Sequence, residues 1–436
     1  MSLTGRQQVA REMACRIVGA SVTYHPQKLV TPLVLSTGTI DDLIEARATV
    51  TVETVAGRRA EGRGAVYLSD LWAWPDPKVP HERRVQILQA ITNRAAAACS
   101  EIAPGEILHP LEIGLRLHHW ALHELPAEIP VPALARAMCA SPFDAAIHDA
   151  AGIATGRSAF RMFDEDAPTP SADSYFPREG AIAAIRRTIR QPRKSLPAWL
   201  VINKTDTLPD MISKAYATGG YRSFKLKITG RDKVEDTRRT IEVYRSTQAI
   251  GVTNPALVID SNEGNPDAAG VLEYLEQLEA LDAEAYGALA YIEQPTARDI
   301  IHAPFDWRPV AARKPVMLDE GLTDLTILDT AQQQGWSGLA LKTCKGHSML
   351  LAAAAWAHSR GLLLSLQDLT NPGIALIHGA LVGAHLPTIN GAELNSPQFT
   401  PAANADYIPR LSGLYQPKGG VHRLPADVPD GLGSRL

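Results

Sequence analysis

The chain has 436 residues, with 43 Lys and Arg against 47 Asp and Glu, a formal net charge of −4 and a hydrophobic content of 45%. That balance leaves no basic tail or patch for nucleic acid or an anionic membrane surface, and the composition is that of a globular protein long enough for two or three domains. Four cysteines (Cys15, Cys99, Cys139, Cys344) are scattered without a C-x-x-C pair or a disulfide framework, which points to a reducing, cytoplasmic setting. No apolar stretch reaches the ~20 residues of a membrane span. Residues 350–366 come nearest and are interrupted by His358, Ser359 and Arg360. The first residues show no leader-type apolar region.

Residues 16–24 alternate, with Val18, Ala20 and Val22 on one side, and residues 46–55 carry Thr and Val in the same style, which predicts strands. Gly57, Arg58 and Arg59 form a turn between Val55 and the run 62–68, which predicts a hairpin. Helical patterns follow over 82–100 and 130–155, the second with an Ala-rich face. A sheet followed by helices is an α+β module, spanning residues 1–160. Residues 161–197 are polar and proline-bearing, with a helix expected over 179–190 and a basic loop behind it. They read as a linker or barrel entry, and the charge run as a solvated face.

From there the alternation is regular. Strands are expected at 198–203, 223–228, 256–260, 288–293, 316–319, 338–342, 362–367 and 391–394, each separated by room for a helix, the first over 210–219. Short apolar strands joined by long crossovers predict a parallel sheet, and eight of them predict closure into a (β/α) barrel of TIM type over 198–405. The Gly- and Pro-rich tail, 406–436, is expected to pack back on the N-terminal module.

Charged residues end these strands. Lys225 and Lys227 share the second, and Asp260, Glu293, Asp319 and Lys342 end the third to the sixth. The steps from Lys227 are 33, 33, 26 and 23 residues. The active sites of such barrels lie at the C-terminal strand ends. Three carboxylates on neighbouring strands form a hard-oxygen site suited to Mg²⁺, with Mn²⁺ the alternative. Strands two and six face each other across the mouth, so Lys227 and Lys342 would approach a bound substrate from opposite faces. That arrangement fits removal of a proton α to a carboxylate, the metal stabilising the developing enediolate charge. A lysine base needs a lowered pKa, and the like charge of Lys225, on the same strand face, supplies a cause. Taken singly, Asp260 is as readily a helix N-cap as a ligand, and a lone Lys225 or Lys342 a snorkelling surface residue.

Lys-x-Lys at 225–227, Asp-x-Asn at 260–262, Glu-Gln-Pro at 293–295, Asp-Glu at 319–320, Lys342 and Gly-Ala-Glu-Leu at 391–394 together resemble the enolase superfamily, in the branch of mandelate racemase and muconate lactonizing enzyme that uses a lysine–lysine pair. The stretch 141–149 before Gly152 is similar to that family's N-terminal α+β capping domain. The resemblance implies a capped barrel, with Asp260, Glu293 and Asp319 as Mg²⁺ ligands, Lys227 and Lys342 as the acid/base pair and Lys225 beside the substrate carboxylate. It further implies Glu320 behind the ligands, Glu393 orienting the carboxylate and Asn262 near the metal. A small carboxylate is the partner implied, and association into a homo-oligomer is expected.

The chain departs from the pattern where specificity is set. Thr-Cys-Lys-Gly-His-Ser follows Lys342 in place of Gly-Gly. Glu393-Leu-Asn395-Ser396 lacks the Asp-x-Asp of dipeptide epimerases, and Gln367-Asp368-Leu-Thr370-Asn371 lacks the His of mandelate racemase-like members. Asp368, Thr370, Asn371 and Asn395 are therefore candidate specificity residues. Lys345 and His347 read as loop residues and Cys344 as a packed thiol. Trp72 and Trp74, with Tyr24, His25 and Lys28, are expected in loops of the cap that either close over the mouth or pack within it. The reaction expected is racemisation, epimerisation or cycloisomerisation. Dehydration of an acid sugar is the alternative, and a Schiff-base aldolase or a non-catalytic acid binder stands further off.

Overall fold

The computed structural model describes residues 12–125 and 130–436. Residues 1–11, which carry the reading of a missing leader, lie outside the described residues. Three antiparallel strands come first, β1 (Cys15–Leu35), β2 (Gly38–Thr54) and β3 (Arg59–Tyr67), in the order β1-β2-β3. Ala46, Ala48, Val50 and Val52 alternate along β2 and are buried. Helix Ala133–Thr155 packs on β2 and β3. Its approach is close: a Cβ on Gly64 would stand 2.0 Å from Pro142 O, and one on Gly62 2.2 Å from Ala150 N. Only glycine fits beneath that helix backbone.

Strand β1 runs further than its alternating stretch predicts. Tyr24, His25 and Lys28, expected in loops at the mouth, lie inside it. Tyr24 Oη donates to Gln89 O (2.9 Å) and Asn93 Oδ1 (2.9 Å) on helix His81–Ala98. Pairing with β2 shifts register between Ile17 and Gly19, continues through Pro26 and shifts again between Lys28 and Leu33, so the chain turns later, at Ser36 and Thr37. The tip of this β1–β2 hairpin reaches the barrel. Val34 N donates to Asn203 Oδ1 (3.1 Å) and Ser36 Oγ to Asn262 O (2.6 Å).

A short strand β4 (Ser195–Pro197) precedes seven parallel ones: β5 (Trp199–Ile202), β6 (Ser223–Lys227), β7 (Ala256–Asp260), β8 (Leu289–Glu293), β9 (Val316–Leu318), β10 (Gly338–Lys342) and β11 (Leu363–Gln367). They lie side by side in chain order, and the tail strand β12 (Val421–Arg423) pairs antiparallel with β4. Crossover helices such as Asp210–Gly219, Lys233–Ala249 and His347–Ser359 connect them. Trp199, Val258, Tyr291, Met317 and Ala340 fill the barrel interior as a cluster of their own.

The expected eighth strand at 391–394 is not a strand. Gly391 takes φ 72°, outside the extended region. The segment still bridges the two sheet edges by other bonds. Ile389 N and Glu393 N donate to Leu364 O (2.8 Å) and Leu366 O (3.0 Å) of β11. Asn390 Oδ1 accepts from Leu366 N (3.0 Å), and its carbonyl accepts from Trp199 Nε1 (2.9 Å). The Gln398 side chain meets Val201 N (3.0 Å) and O (2.8 Å) on β5. Side-chain amides thus replace ladder bonds, and the backbone need not stay extended.

The tail also contacts helix Ala133–Thr155, where Leu432 N donates to Asp149 Oδ1 (2.7 Å). All four cysteines are buried free thiols, and burial pushes each up to about 12. Among the described residues no helix is long and apolar enough to cross a membrane.

Candidate active site

Alternation along the parallel strands sets the site. Val258, Tyr291, Met317 and Ala340 form the interior layer, and the residue two positions further on in each case is Asp260, Glu293, Asp319 or Lys342. Side chains two apart share a face, so all four project from the C-terminal strand ends toward the axis. Register aligns them. Lys227 lies opposite Asp260, Asp260 opposite Glu293, and Lys342 opposite Gln367.

The charges interlock. Lys227 Nζ donates to Asp260 Oδ2 (2.6 Å) and Asn262 Oδ1 (3.0 Å). Lys225 Nζ lies 2.7 Å from Glu293 Oε2, 3.2 Å from Asp260 Oδ2 and 3.4 Å from Glu393 Oε2. Lys342 Nζ is 2.5 Å from Asp319 Oδ2 and 3.7 Å from Glu293 Oε1, and it stands 4.8 Å from the centre of the Trp72 ring. The three carboxylates are all but fully buried.

Burial raises a carboxyl pKa and lowers that of an amine, while opposite charges act the other way. At Asp260 burial is outweighed by Lys227 and Lys225, which hold it down at about 2. At Asp319 burial is outweighed by Lys342 and Lys345, and the carboxyl lies below its ordinary range. Burial prevails at Glu293, which is shifted well upward despite Lys225. Glu320, buried beside Asp319, is pushed up to about 7. Burial favours neutral Lys225 and Lys342, but the carboxylates around them win and raise both. Lys225 is thus locked among acids rather than left free to repel Lys227, and Lys342 is held as ammonium. A base at Lys342 therefore requires that its carboxylate neighbours be neutralised.

Among the described residues no three or more His, Cys, Asp or Glu side chains are grouped so that they could hold a metal ion. Amines stand between the oxygens of Asp260, Glu293 and Asp319. The donor chemistry nevertheless suits a hard divalent cation. Glu293 Oε1 and Asp319 Oδ2 are buried without a hydrogen-bond partner, the latter meeting Lys342 as an ion pair only. A cation held by these oxygens would have to take the places of Lys225 Nζ and Lys342 Nζ beside them.

Above this floor lies a narrow cavity of about 50 Å³, partly open to solvent. Lys225, Lys227, Lys342, Asn262, Asp368, Thr370, Glu393 and Asn395 line it, as do Trp72 and the hairpin residues Leu33, Leu35, Ile40 and Leu43. Asp368 accepts from Thr370 N (2.8 Å) and Asn395 N (3.2 Å), and burial pushes it up to about 7. Glu320 sits behind, its Oε1 accepting from Trp72 Nε1 (3.0 Å) and Asn262 Nδ2 (3.2 Å). Asn371 is turned away, accepting from Tyr67 N of β3 (2.7 Å), and neither it nor Trp74 lines the cavity.

Three polar supports escaped the sequence reading. Lys345, taken as a loop residue, is buried, and its Nζ donates to Asp319 O (2.6 Å), Asp319 Oδ1 (2.9 Å) and Ala340 O (3.3 Å). The 3₁₀ turn Thr343–Lys345 folds it back under the strand ends. Gln367 Nε2 donates to Glu293 Oε2. Gln294 Oε1 accepts from Asp319 N (2.9 Å) and Gly321 N (3.1 Å). Only Gln294, next to Glu293, carried a signal in the sequence; Lys345 and Gln367 lie 26 and 74 residues from the carboxylates they meet. The hairpin leucines gave none, because their place depends on where β1 turns.

The chain matches the family described as enolase C-terminal domain-like over residues 208–434. Among solved structures it is similar to muconate lactonizing enzyme from Pseudomonas fluorescens complexed with muconolactone, at 19% identity over 96% of each chain, with a TM-score of 0.64. It is also similar to N-succinyl Arg/Lys racemase from Bacillus cereus, at 18% identity over 88% of each chain and a TM-score of 0.59. A dipeptide epimerase from Enterococcus faecalis, complexed with Mg and L-Leu-L-Tyr, matches at 16% identity over 96% of this chain and 99% of that one, with a TM-score of 0.63. At such identities the likeness speaks to the fold. No curated protein matches the sequence.

Proposed function

Because the chain belongs to the enolase C-terminal domain-like family, we propose that it is an isomerase that removes and returns the proton α to the carboxylate of a small acid. The observation that carries this reading is the pairing of Lys227 and Lys342, which line one cavity from β6 and β10 above three buried carboxylates. One amine takes the proton from one face of the substrate and the other delivers a proton to the opposite face. That is racemisation or epimerisation. Cycloisomerisation uses one amine alone: an oxygen of a second substrate carboxylate adds to the alkene carbon β to the bound carboxylate, the C=C π bond breaks, and the lysine ammonium protonates the α carbon. Asp260, Glu293 and Asp319 would hold a Mg²⁺ ion, whose chemistry is to stabilise negative charge building on the substrate carboxylate. Lys225 and Glu393 orient that carboxylate, and Lys345 and Gln367 hold the buried carboxylates in place. Similar proteins named for racemisation, epimerisation and lactonization, one of them complexed with Mg, support the class of reaction.

The test is exchange of the α-proton with D₂O in a panel of carboxylic acids. Deuterium should enter recovered substrate with inversion when Mg²⁺ is present. Lys227→Ala and Lys342→Ala should each abolish turnover while circular dichroism shows the fold intact. Loss of water without exchange would instead indicate β-elimination, and full activity in either variant would remove that lysine from the mechanism.

A further inference from the structure

The cavity is divided by chemistry. Its floor is ionic, made by Lys225, Lys227 and Lys342 with Glu393. Its roof is hydrocarbon. Leu33, Leu35, Ile40 and Leu43 descend from the β1–β2 hairpin, and Leu369 and Phe399 meet them from the barrel side. Ser69 and Asn395 are also in the lining, and Ser69 Oγ and Asn395 Oδ1 are themselves buried without a hydrogen-bond partner. Asn395 Oδ1 can accept from a donor, and the Ser69 hydroxyl can donate or accept.

A ligand seated here meets charge at one end, the polar side chains of Asn262, Asp368, Thr370, Ser69 and Asn395 in the lining, and only hydrocarbon from the hairpin residues. We propose that the substrate is an amphipathic carboxylic acid whose far end is an uncharged hydrocarbon or aromatic group seated under the hairpin tip. The inference rests on the reading of the lysine floor as a carboxylate site. Hydroxyl groups at the roof would lose their water and find no partner, a cost that a polyhydroxylated acid incurs at each position. An apolar tail gains from the same burial. Acid sugars are therefore excluded by the roof rather than by the floor.

Calorimetric titration at saturating Mg²⁺ with 4-phenylbutyrate and with D-gluconate tests this, because both carry one carboxylate and differ in the tail. Phenylbutyrate should bind at least about tenfold more tightly. Leu33→Asn, at a partly exposed position, should reduce that ratio severalfold. Leu43→Asn, at a buried one, should do the same if it folds. Equal or tighter gluconate binding, an unchanged ratio in Leu33→Asn, or failure of both acids to bind would overturn the inference. Gluconate preference accompanied by Mg²⁺-dependent α-proton exchange would sink the tail assignment and leave the proposed reaction standing. Phenylbutyrate preference without exchange of any acid would uphold the tail assignment and sink the reaction.

Discussion

At the scale of single residues, the strand-end carboxylates and lysines lie together because a period of two and a fixed register leave them no other face. Their positions could be read from the sequence because each closes an apolar run. Lys345 could not, since nothing in a linear pattern says that a turn folds an amine back under a sheet. Its ammonium now makes three bonds to Asp319 and Ala340 in a buried setting. Lys345→Met should therefore destabilise the protein by about 3 kcal/mol, the range for breaking a buried ion pair. An unfolding free energy within about 0.5 kcal/mol of wild type, as for a surface lysine, would contradict its buried role.

At the scale of elements, the parallel strands were legible to within a residue or two, because fully buried strands are short apolar runs between helices. The β1–β2 hairpin was not. Its alternation fades before its pairing does, so Tyr24, His25 and Lys28 seemed free to serve the mouth when they are part of the sheet. Helix Pro110–His119 offers a pH test of element stability. His109 caps it, with Nδ1 accepting from Leu111 N (3.1 Å) and Nε2 donating to Met162 O (2.9 Å). The first bond needs the neutral ring, whereas the second survives protonation and opposes the effect of burial. Burial prevails and lowers His109 from 6.5 to about 4. The unfolded chain binds this proton over a window in which the folded chain does not, so the contribution is complete above pH 6.5 and is lost as pH falls toward 4. Relative to His109→Gln, the wild type should lose up to about 2 kcal/mol between pH 6.5 and 5. Parallel stability–pH curves for the two proteins would contradict this.

At the scale of the whole molecule, closure of the barrel depends on an irregular segment. Eight strands were expected and seven formed, because Gly391 leaves the extended region and amide side chains take over the bonds between β11 and β5. A repeat of apolar runs predicts how many segments line a barrel, but not which of them keep ladder geometry. Gln398→Leu removes both bonds to Val201. It should lower stability by about 1–3 kcal/mol in urea unfolding, and an unchanged midpoint would show that the edge is held elsewhere.

The proposed chemistry requires that three buried carboxylates, ion-paired with lysines, exchange those amines for a divalent cation. Calorimetric titration with Mg²⁺ asks this directly. One ion should bind per chain, and Asp260→Asn, Glu293→Gln and Asp319→Asn should each weaken it by about tenfold or more. Absence of uptake, or uptake indifferent to all three substitutions, would contradict the site.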